Sequence, residues 1–176
     1  TFDDVRAAAF DVHSLLDELD IVSYPKTTGS KGIHIYVRLE KRWDSYDLRR
    51  AAVALARELE RRHTNRLTAA WSKEERGSRV FIDFNQNAPH KTVFAPWSVR
   101  ALDHAPVSFP FPWELLATLV PHDMTIATVP AWVAEHGDAW AAMNDNMFFL
   151  RVRRPGGLGL APKHANLVVC VVFQAF

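Results

Sequence analysis

Two different hydrophobic periods alternate along this chain, and their order constrains the fold more than any other sequence feature. Apolar residues recur every three or four positions over residues 5–19 and again over 48–59, which predicts two amphipathic helices. Apolar and polar residues alternate instead over 33–39 and 79–85, which predicts strands with one apolar face. The chain therefore combines helices with strands whose apolar faces can pack on them.

The predicted elements have recognisable ends. Thr1 and Asp4 have the spacing of a capping box for the first helix, and Asp44 or Ser45 can cap the second. The turn-forming residues 25–32 precede the first alternating stretch, so we expect a hairpin with a glycine-bearing loop there. The first part of the chain is thus expected to run helix, hairpin, helix.

The later part of the chain shows weaker patterns. Residues 92–100 alternate and predict a third strand, although Pro96 restricts it to a sheet edge or a bulge. Two shorter helices are expected over 113–120 and 129–143, where proline-containing turns separate the apolar stretches.

Composition excludes several classes of protein. The 21 Lys and Arg residues against 20 Asp and Glu give a net charge of +1, so any anionic partner has to be held by locally clustered charge. The single Cys170 excludes an internal disulfide framework and a zinc site with two or more cysteine ligands. The longest apolar run, 167–173, is far shorter than the roughly 20 residues of a transmembrane helix. We therefore expect a soluble, cytoplasmic protein without a membrane partner.

Polar side chains lie on the predicted polar faces of the three strands. If the strands pair antiparallel with their apolar faces on one layer, these side chains converge on one surface. That surface is the candidate site. The side chains in question belong to His34, Tyr36, Arg79, Asp83 and Arg100.

The loop Thr28-Gly29-Ser30-Lys31-Gly32 has a composition suited to phosphate. Two glycines permit close backbone approach, and two hydroxyls with one ammonium can bind phosphate oxygens. The spacing is not that of a P-loop, and a plain hairpin loop is the alternative interpretation. Arg76 and Arg100 add two guanidinium groups that can each bind phosphate through two hydrogen bonds, unless they are ordinary surface residues.

Asp83 is the most suggestive single residue, because a carboxylate in the middle of an apolar strand has to be paired, hydrogen-bonded or metal-bound. An ion pair with Arg79 or Arg100 is the alternative to a metal. One carboxylate is not enough for two-metal phosphoryl transfer, which usually needs two or three. His34 is either a hydrogen-bonded structural residue or a catalytic one.

Three stretches taken together resemble a known family. They are residues 26–36, with the sequence KTTGSKGIHIY, Arg76 followed by RVFIDFNQN at 79–87, and residues 92–100. In this order and spacing they resemble the polymerase domain of bacterial non-homologous end-joining DNA ligases and their stand-alone relatives, within the archaeo-eukaryotic primase superfamily. The resemblance implies an α+β fold with an antiparallel RRM-like sheet, helices packed on one of its faces and an open catalytic face.

The resemblance also implies roles for individual side chains. Asp83 is similar to a metal-binding carboxylate of the family, and it is assigned as catalytic together with His34. The implied cofactor is Mn²⁺ or Mg²⁺ in a two-metal site. The residues implied to bind the nucleotide are Thr28, Ser30, Lys31, Arg76, Gln86 and Arg100.

The sequence departs from the family at its front end. In the family, an Asp-x-Asp pair supplies two of three metal-binding carboxylates just upstream of the helix that begins here at Thr1, and the chain does not contain this pair. We therefore expect residues 1–146 to be the C-terminal part of a primase-polymerase domain, a partial domain that is inactive in this form. Residues 147–176 do not resemble the family and form an unassigned tail, in which the basic stretch 151–154 is expected to be a solvated arm or a linker touching DNA.

The function implied by the resemblance is template-dependent nucleotidyl transfer, which adds nucleotides at DNA ends or gaps during double-strand break repair. The implied partners are nucleoside triphosphates, DNA, a DNA ligase and the end-binding Ku protein. Two alternatives stay open: a non-catalytic module that binds single-stranded nucleic acid on its sheet, and a domain that only docks to the ligase or to Ku. Asp83 favours the polymerase, because a carboxylate that faces a polyanion is unfavourable unless a cation lies between them.

Overall fold

Helices and strands alternate along the chain. The computed structural model describes residues 1–39, 42–88, 90–144 and 167–174, the last range as backbone, so the basic stretch 151–154 lies outside the described residues. The helices are α1 (Phe2–Glu18), α2 (Ser45–Arg62), α3 (Lys73–Arg76), α4 (Val129–His136) and α5 (Ala141–Asn144). The strands are β1 (Ser23–Thr27), β2 (Gly32–Leu39), β3 (Leu67–Thr68), β4 (Val80–Asp83) and β5 (Leu167–Gln174).

Both long helices begin at the residues that their capping signals predict. The Thr1 hydroxyl accepts a hydrogen bond from the Asp4 backbone N–H at 3.3 Å, and the Asp44 carboxylate accepts one from the Asp47 N–H at 2.8 Å. Each cap satisfies a donor that the first turn of a helix leaves without an intrahelical partner. The predicted apolar stripes are buried, and the buried residues of α1 are Val5, Ala8, Ala9, Val12, Leu15 and Leu16.

The strands form one sheet in the order β1-β2-β5-β4-β3. All neighbours are antiparallel except β3 and β4, which are parallel. The register aligns Lys26 with His34, His34 with Val172, and Val172 with Asp83. Because directly opposed residues share a face of the sheet, Lys26, His34 and Asp83 lie in one row on one face. Strand β5 belongs to the tail that the sequence leaves unassigned, and it lies in the centre of this sheet. The division of the chain at residue 146 into a partial domain and a tail stays a prediction.

The hydrophobic core lies on the opposite face of the sheet, against α1 and α2. Ile33, Ile35 and Ile82 are fully buried there. They alternate along their strands with the polar row, as a period of two requires. Burial of each such side chain contributes roughly 1.5–3 kcal/mol. The helices thus pack on one face as predicted, and the other face carries the polar groups.

The polar face is covered at its β1–β2 end by residues that follow β4. Residues 107–111 run along the outer edge of β1 and hydrogen-bond to its backbone. Trp140 packs edge-on against Tyr36, with 4.9 Å between the ring centroids, and its Nε1 donates to the Pro25 carbonyl at 3.0 Å. The face expected to be open is therefore partly covered, and the side chains beneath the cover are buried.

The third strand predicted from the sequence is not formed. Within residues 92–100 the structure contains only an isolated bridge, between Val99 and Val107. Trp97 has a φ of 63°, a left-handed conformation that regular strands do not contain. Pro96, just before it, removes a backbone donor that a strand would need. This segment is therefore an irregular connection that crosses the edge of the sheet.

The two later helices are shorter than predicted. The helix expected over 113–120 is a 3-10 turn at Trp113–Ala117. The helix expected over 129–143 ends before Gly137, whose φ of 80° interrupts it, and a further turn starts at Ala141. Within the described ranges, none of the helices has both the length and the apolar character that a membrane span requires.

Candidate functional site

Hydrogen bonds of Thr28 fix the conformation of the loop between β1 and β2. Thr28 donates its backbone N–H to the Gly32 carbonyl at 2.9 Å, and its Oγ1 accepts from the N–H groups of Ser30 and Gly32 at 3.2 and 3.1 Å. The Thr28 hydroxyl is buried and shapes the loop, and its predicted contact with phosphate stays a prediction. Ser30 and Lys31 are exposed, so these two of the three predicted loop side chains are accessible to an anion.

Arg100 reaches this loop from the irregular segment. Its Nε donates to the Thr28 carbonyl at 2.9 Å, and its Cζ lies 3.7 Å from the centroid of the Phe94 ring. A Cβ at Gly29, whose φ is 69°, would lie only 2.9 Å from the Arg100 Cγ, so this contact needs glycine. The two terminal nitrogens of Arg100 make no hydrogen bond within the described part of the chain. They are the donors that a phosphate group would meet.

His34 is the neutral member of the polar row, with 5% of its surface exposed. Burial, followed by the positive charges of Lys26 and Arg100, lowers the pKa of His34 to about 3. At pH 7 one ring nitrogen therefore donates and the other accepts. The buried Nδ1 has no hydrogen-bond partner among the described residues. Because buried polar atoms are almost always hydrogen-bonded, this nitrogen marks a place for a ligand or water.

Asp83 ends β4 and is held by the turn that follows. Its Oδ1 accepts a hydrogen bond from the Asn85 N–H at 2.8 Å, and its Oδ2 accepts one from the Gln86 Nε2 at 3.1 Å. Neither Arg79 nor Arg100 forms an ion pair with Asp83 in the described ranges, so the ion-pair alternative is not found. Each carboxylate oxygen keeps a further lone pair for another partner. Gln86 therefore orients the acid, and its predicted contact with the nucleotide stays a prediction.

Arg76 is buried, with 6% of its surface exposed. Its Nε and Nη2 donate to the carbonyls of Ala70 and Trp71 at 3.0 and 2.6 Å. Its Cζ lies 3.6 Å from the centroid of the Phe81 ring, so the guanidinium stacks on β4. These contacts hold the loop before α3 against the sheet. Binding of a triphosphate by Arg76 stays a prediction.

Sequence reasoning missed two residues of this face, Lys26 and Ser108. Lys26 is fully buried in β1 opposite His34, and its Nζ lies 2.5 Å from the Ser108 Oγ. In the sequence Lys26 follows a proline in what is expected to be a turn. Lysine is almost never fully buried, so nothing local marks it as an interior residue.

A divalent cation at this site needs oxygen ligands besides Asp83. The carboxylate suits such an ion, because two hydrogen bonds orient it and it lies half-buried on the polar face. Among the residues that the structure describes, no group of three or more His, Cys, Asp or Glu side chains is arranged to hold a metal. Asp83 therefore fits as one ligand, and the described residues do not complete a metal site.

The sheet has helices on one face and, on the other, a glycine-bearing loop, a neutral histidine and an oriented carboxylate. This is the arrangement of a primase-polymerase type of α+β domain. Residues 1–140 match the family model described as LigD, primase-polymerase domain. The chain belongs to this family, and the resemblance stated from the sequence is confirmed.

Curated relatives are much longer than this chain. The multifunctional non-homologous end joining protein LigD of Mycolicibacterium smegmatis is 35% identical over 136 residues, which cover 77% of this chain and 18% of that protein. The corresponding protein of Pseudomonas aeruginosa is 36% identical over 108 residues, which cover 60% of this chain and 13% of that protein. The bifunctional LigD of Bacillus subtilis is 32% identical over 135 residues, which cover 74% and 22%.

A solved structure has the same fold. It is the polymerase domain from Mycobacterium tuberculosis Ligase D in complex with DNA, and it superimposes with a TM-score of 0.73 at 30% sequence identity. The match covers 80% of this chain and 49% of that chain. The mixed helix-and-strand fold with a small antiparallel sheet is therefore confirmed, and the chain spans about half of that domain.

Proposed function

We propose that this chain binds a nucleoside triphosphate on the polar face of its sheet. Within the whole protein, it takes part in adding nucleotides to DNA ends or gaps during double-strand break repair. Membership of the LigD primase-polymerase family supports a DNA-repair polymerase role. One observation carries the proposal: Arg100 contacts the 28–32 loop on the face that also bears His34 and Asp83.

In this proposal the triphosphate binds to the 28–32 loop and to Arg100. The Ser30 hydroxyl and the Lys31 ammonium are exposed, and Arg100 adds two terminal nitrogens beside them. Hydrogen bonds from charged donors to phosphate oxygens are roughly twice as strong as neutral ones. Together these groups neutralise part of the triphosphate charge and fix its position relative to the sheet.

His34 binds the nucleotide as a neutral group. Its pKa of about 3 leaves it without charge at pH 7, so its contribution is hydrogen bonding and orientation. The Nδ1 lacks a partner in the described residues but is itself buried, so a hydrogen bond from it to the nucleotide requires the covering residues to move. The closely packed surroundings keep the ring in one orientation, which lowers the entropic cost of binding.

Asp83 contributes one carboxylate to a divalent cation, Mn²⁺ or Mg²⁺. Such an ion, when bound, neutralises phosphate charge and polarises the reacting phosphoryl group. The hydrogen bonds from Asn85 and Gln86 hold the carboxylate oxygens in place for this contact. Two-metal phosphoryl transfer is the mechanism that we propose for the whole protein, and the contribution of the described residues is this one ligand.

DNA is the proposed macromolecular partner. The matched structure of the Mycobacterium tuberculosis polymerase domain contains DNA, and the names of the relatives refer to non-homologous end joining. A DNA ligase and the Ku protein are further partners that we propose for the whole protein. They follow from the same repair process, in which an end is bound, extended and sealed.

Equilibrium binding of a fluorescent ATP analogue in the presence of Mn²⁺ tests the proposal. Arg100→Gln is expected to weaken binding about tenfold or more, because a hydrogen bond to a charged group contributes roughly 1.5–3 kcal/mol. Arg50→Gln is the matched control, because Arg50 is an exposed arginine of α2. The proposal is contradicted if the unchanged chain shows no saturable binding, or if both variants lose affinity equally.

A further inference from the structure

The buried ammonium of Lys26 lies where β1 meets the segment that leads to Arg100. Lys26 has no exposed surface, and its Nζ lies 2.5 Å from the Ser108 Oγ and 3.4 Å from the Thr27 carbonyl oxygen. The same Nζ lies 5.9 Å from the centroid of the Tyr36 ring. Burial of an ammonium is costly unless hydrogen bonds compensate for its lost hydration, so the fold has to keep these partners in place.

The Lys26 ammonium fixes the directions of the hydrogen bonds around it, because it can only donate. The Ser108 Oγ accepts from Lys26 and donates its one hydrogen to the Thr27 carbonyl at 3.0 Å. The Thr27 Oγ1 accepts from the Phe109 N–H at 2.9 Å and donates to the Val107 carbonyl at 3.0 Å. Residues 107–109 are thus tied to β1 by a network in which every hydroxyl has a defined role.

Ser108 also contacts the two parts of the proposed phosphate site. Its backbone N–H donates to the Ser98 carbonyl and its carbonyl accepts from the Trp97 N–H, both at 2.8 Å. These bonds hold the segment that leads to Arg100. On the other side, a Cβ at Gly29 would lie 3.2 Å from the Ser108 nitrogen, so the loop packs directly on this residue. Ser108 therefore joins β1, the Arg100 segment and the loop.

We propose that Lys26 is a positioning residue of the nucleotide site. Through Ser108 it holds Arg100 against the 28–32 loop, so that the guanidinium and the loop bind one phosphate chain together. Lys26 does not itself touch the nucleotide, since none of its surface is exposed. This inference rests on the proposed function for its ligand, but the positioning can be measured without any ligand.

The charge of Lys26 gives a second, independent readout at His34. Lys26 and Arg100 are the cations that act on this ring, and both favour its neutral form. The Tyr36 ring also faces it, with 6.2 Å between the ring centroids, and Asp83 lies two strands away in the same row. Removal of the Lys26 charge should therefore raise the pKa of His34, and displacement of Arg100 in Ser108→Ala, which keeps the ammonium, should raise it by a smaller amount.

The experiment compares Lys26→Met and Ser108→Ala in the full chain. Methionine keeps the length of the side chain without its charge or its donors, and Lys73→Met is the control because Lys73 is exposed on α3. In the ATP-analogue assay, Arg100→Gln is expected to cost about tenfold in the unchanged background and less than threefold in either variant, because Arg100 is already displaced. By NMR titration, the His34 pKa should rise in Lys26→Met, rise by a smaller amount in Ser108→Ala, where only Arg100 is displaced, and stay the same in Lys73→Met.

Equal losses from Arg100→Gln in all backgrounds would overturn the proposal. If thermal melting shows that Lys26→Met does not fold, the proposal is judged from the effect of Arg100→Gln in Ser108→Ala alone, because this variant keeps the buried ammonium. Failure of the proposed function looks different, since the unchanged chain then does not bind the analogue at all. In that case hydrogen exchange of the Arg100 Nε–H decides: faster exchange in either variant supports the positioning role, and unchanged exchange overturns it.

Discussion

The Nε of Arg100 donates a hydrogen bond to the backbone carbonyl of Thr28 at 2.9 Å, across 72 positions of sequence. The bond turns the guanidinium toward a loop whose Ser30 and Lys31 side chains are exposed. It is possible because Gly29 has no side chain to push the arginine away. The proposed phosphate site therefore depends on one backbone contact and one missing Cβ.

Gly29→Ala is expected to weaken both folding and nucleotide binding. Gly29 has a φ of 69°, where an L-residue costs roughly 1–2 kcal/mol, and the new Cβ would lie 2.9 Å from the Arg100 Cγ. The free energy of unfolding, measured with urea, should fall by at least about 1 kcal/mol. The affinity for the ATP analogue should fall about tenfold, because Arg100 has to move.

Gly137→Ala provides the matched control for this substitution. Gly137 also has a positive φ, 80°, but no atom lies within 4 Å of the position of its added Cβ. This variant should be less stable yet keep its nucleotide affinity. An equal loss of affinity in both variants would show that general destabilisation, and not the Arg100 contact, explains the effect.

His34 should make the stability of the protein depend on pH. Its pKa is about 3 when folded and 6.5 ordinarily, so between these values the unfolded chain binds a proton that the folded protein does not. The free energy of unfolding therefore rises by about 1.4 kcal/mol per pH unit across this window. The contribution of His34 is fully present above pH 6.5 and is lost as the pH falls toward 3. Urea unfolding at several pH values should show that the free energy of unfolding of His34→Gln depends less steeply on pH than that of the unchanged chain. Identical slopes would refute the burial of a neutral imidazole.

Asp83→Asn should remove the effect of Mn²⁺ on nucleotide binding. The Asn85 N–H bond can still form with the remaining carbonyl oxygen, so the turn should stay folded while the negative charge is lost. Gln86→Leu should weaken the Mn²⁺ effect in part, because Asp83 loses the hydrogen bond to its Oδ2. Asp20→Asn, an exposed aspartate after α1, serves as the control. An unchanged Mn²⁺ effect in Asp83→Asn would exclude this residue as a ligand.

Arg76→Met should destabilise the fold by roughly 2–4 kcal/mol. The substitution removes two hydrogen bonds to carbonyls and the stacking on Phe81. Arg50→Met, on the exposed side of α2, should change stability by less than about 0.5 kcal/mol. Urea unfolding curves of the two variants check the comparison, and equal stability would show that the buried guanidinium contributes nothing.

Features that depend on residues close to one another in the sequence could be predicted. The capping box of Thr1 and Asp4 needs only residues three positions apart. The shared face of His34 and Asp83 follows from alternation along two strands that lie in one sheet. The row itself also depends on β5, which the sequence left in an unassigned tail, and no local pattern indicates its place between β2 and β4.

Features that depend on long-range contacts could not be predicted. The sequence predicts Arg100 on the face of a strand, but Trp97, with its φ of 63°, ends any regular pairing. Arg100 is instead held by contacts with Thr28 and with the segment that Ser108 binds. The burial of Lys26 and Arg76 also contradicts the usual exposure of charged residues. The hydrogen-bond partners described for them are backbone carbonyls and the Ser108 hydroxyl, and no local sequence pattern indicates these contacts.

The loop, Arg100, His34 and Asp83 are proposed to bind one nucleotide, and an NMR titration can follow these groups in a single experiment. A non-hydrolysable ATP analogue is added to the labelled chain in the presence of Mg²⁺, which unlike Mn²⁺ does not broaden the signals. If they bind one nucleotide, the Gly29 and Ser30 amides, the Arg100 Nε–H and the His34 ring should show saturable shifts with a single dissociation constant. If these groups show no shifts, or if the shifts cluster on α4 instead, the nucleotide does not bind at this site.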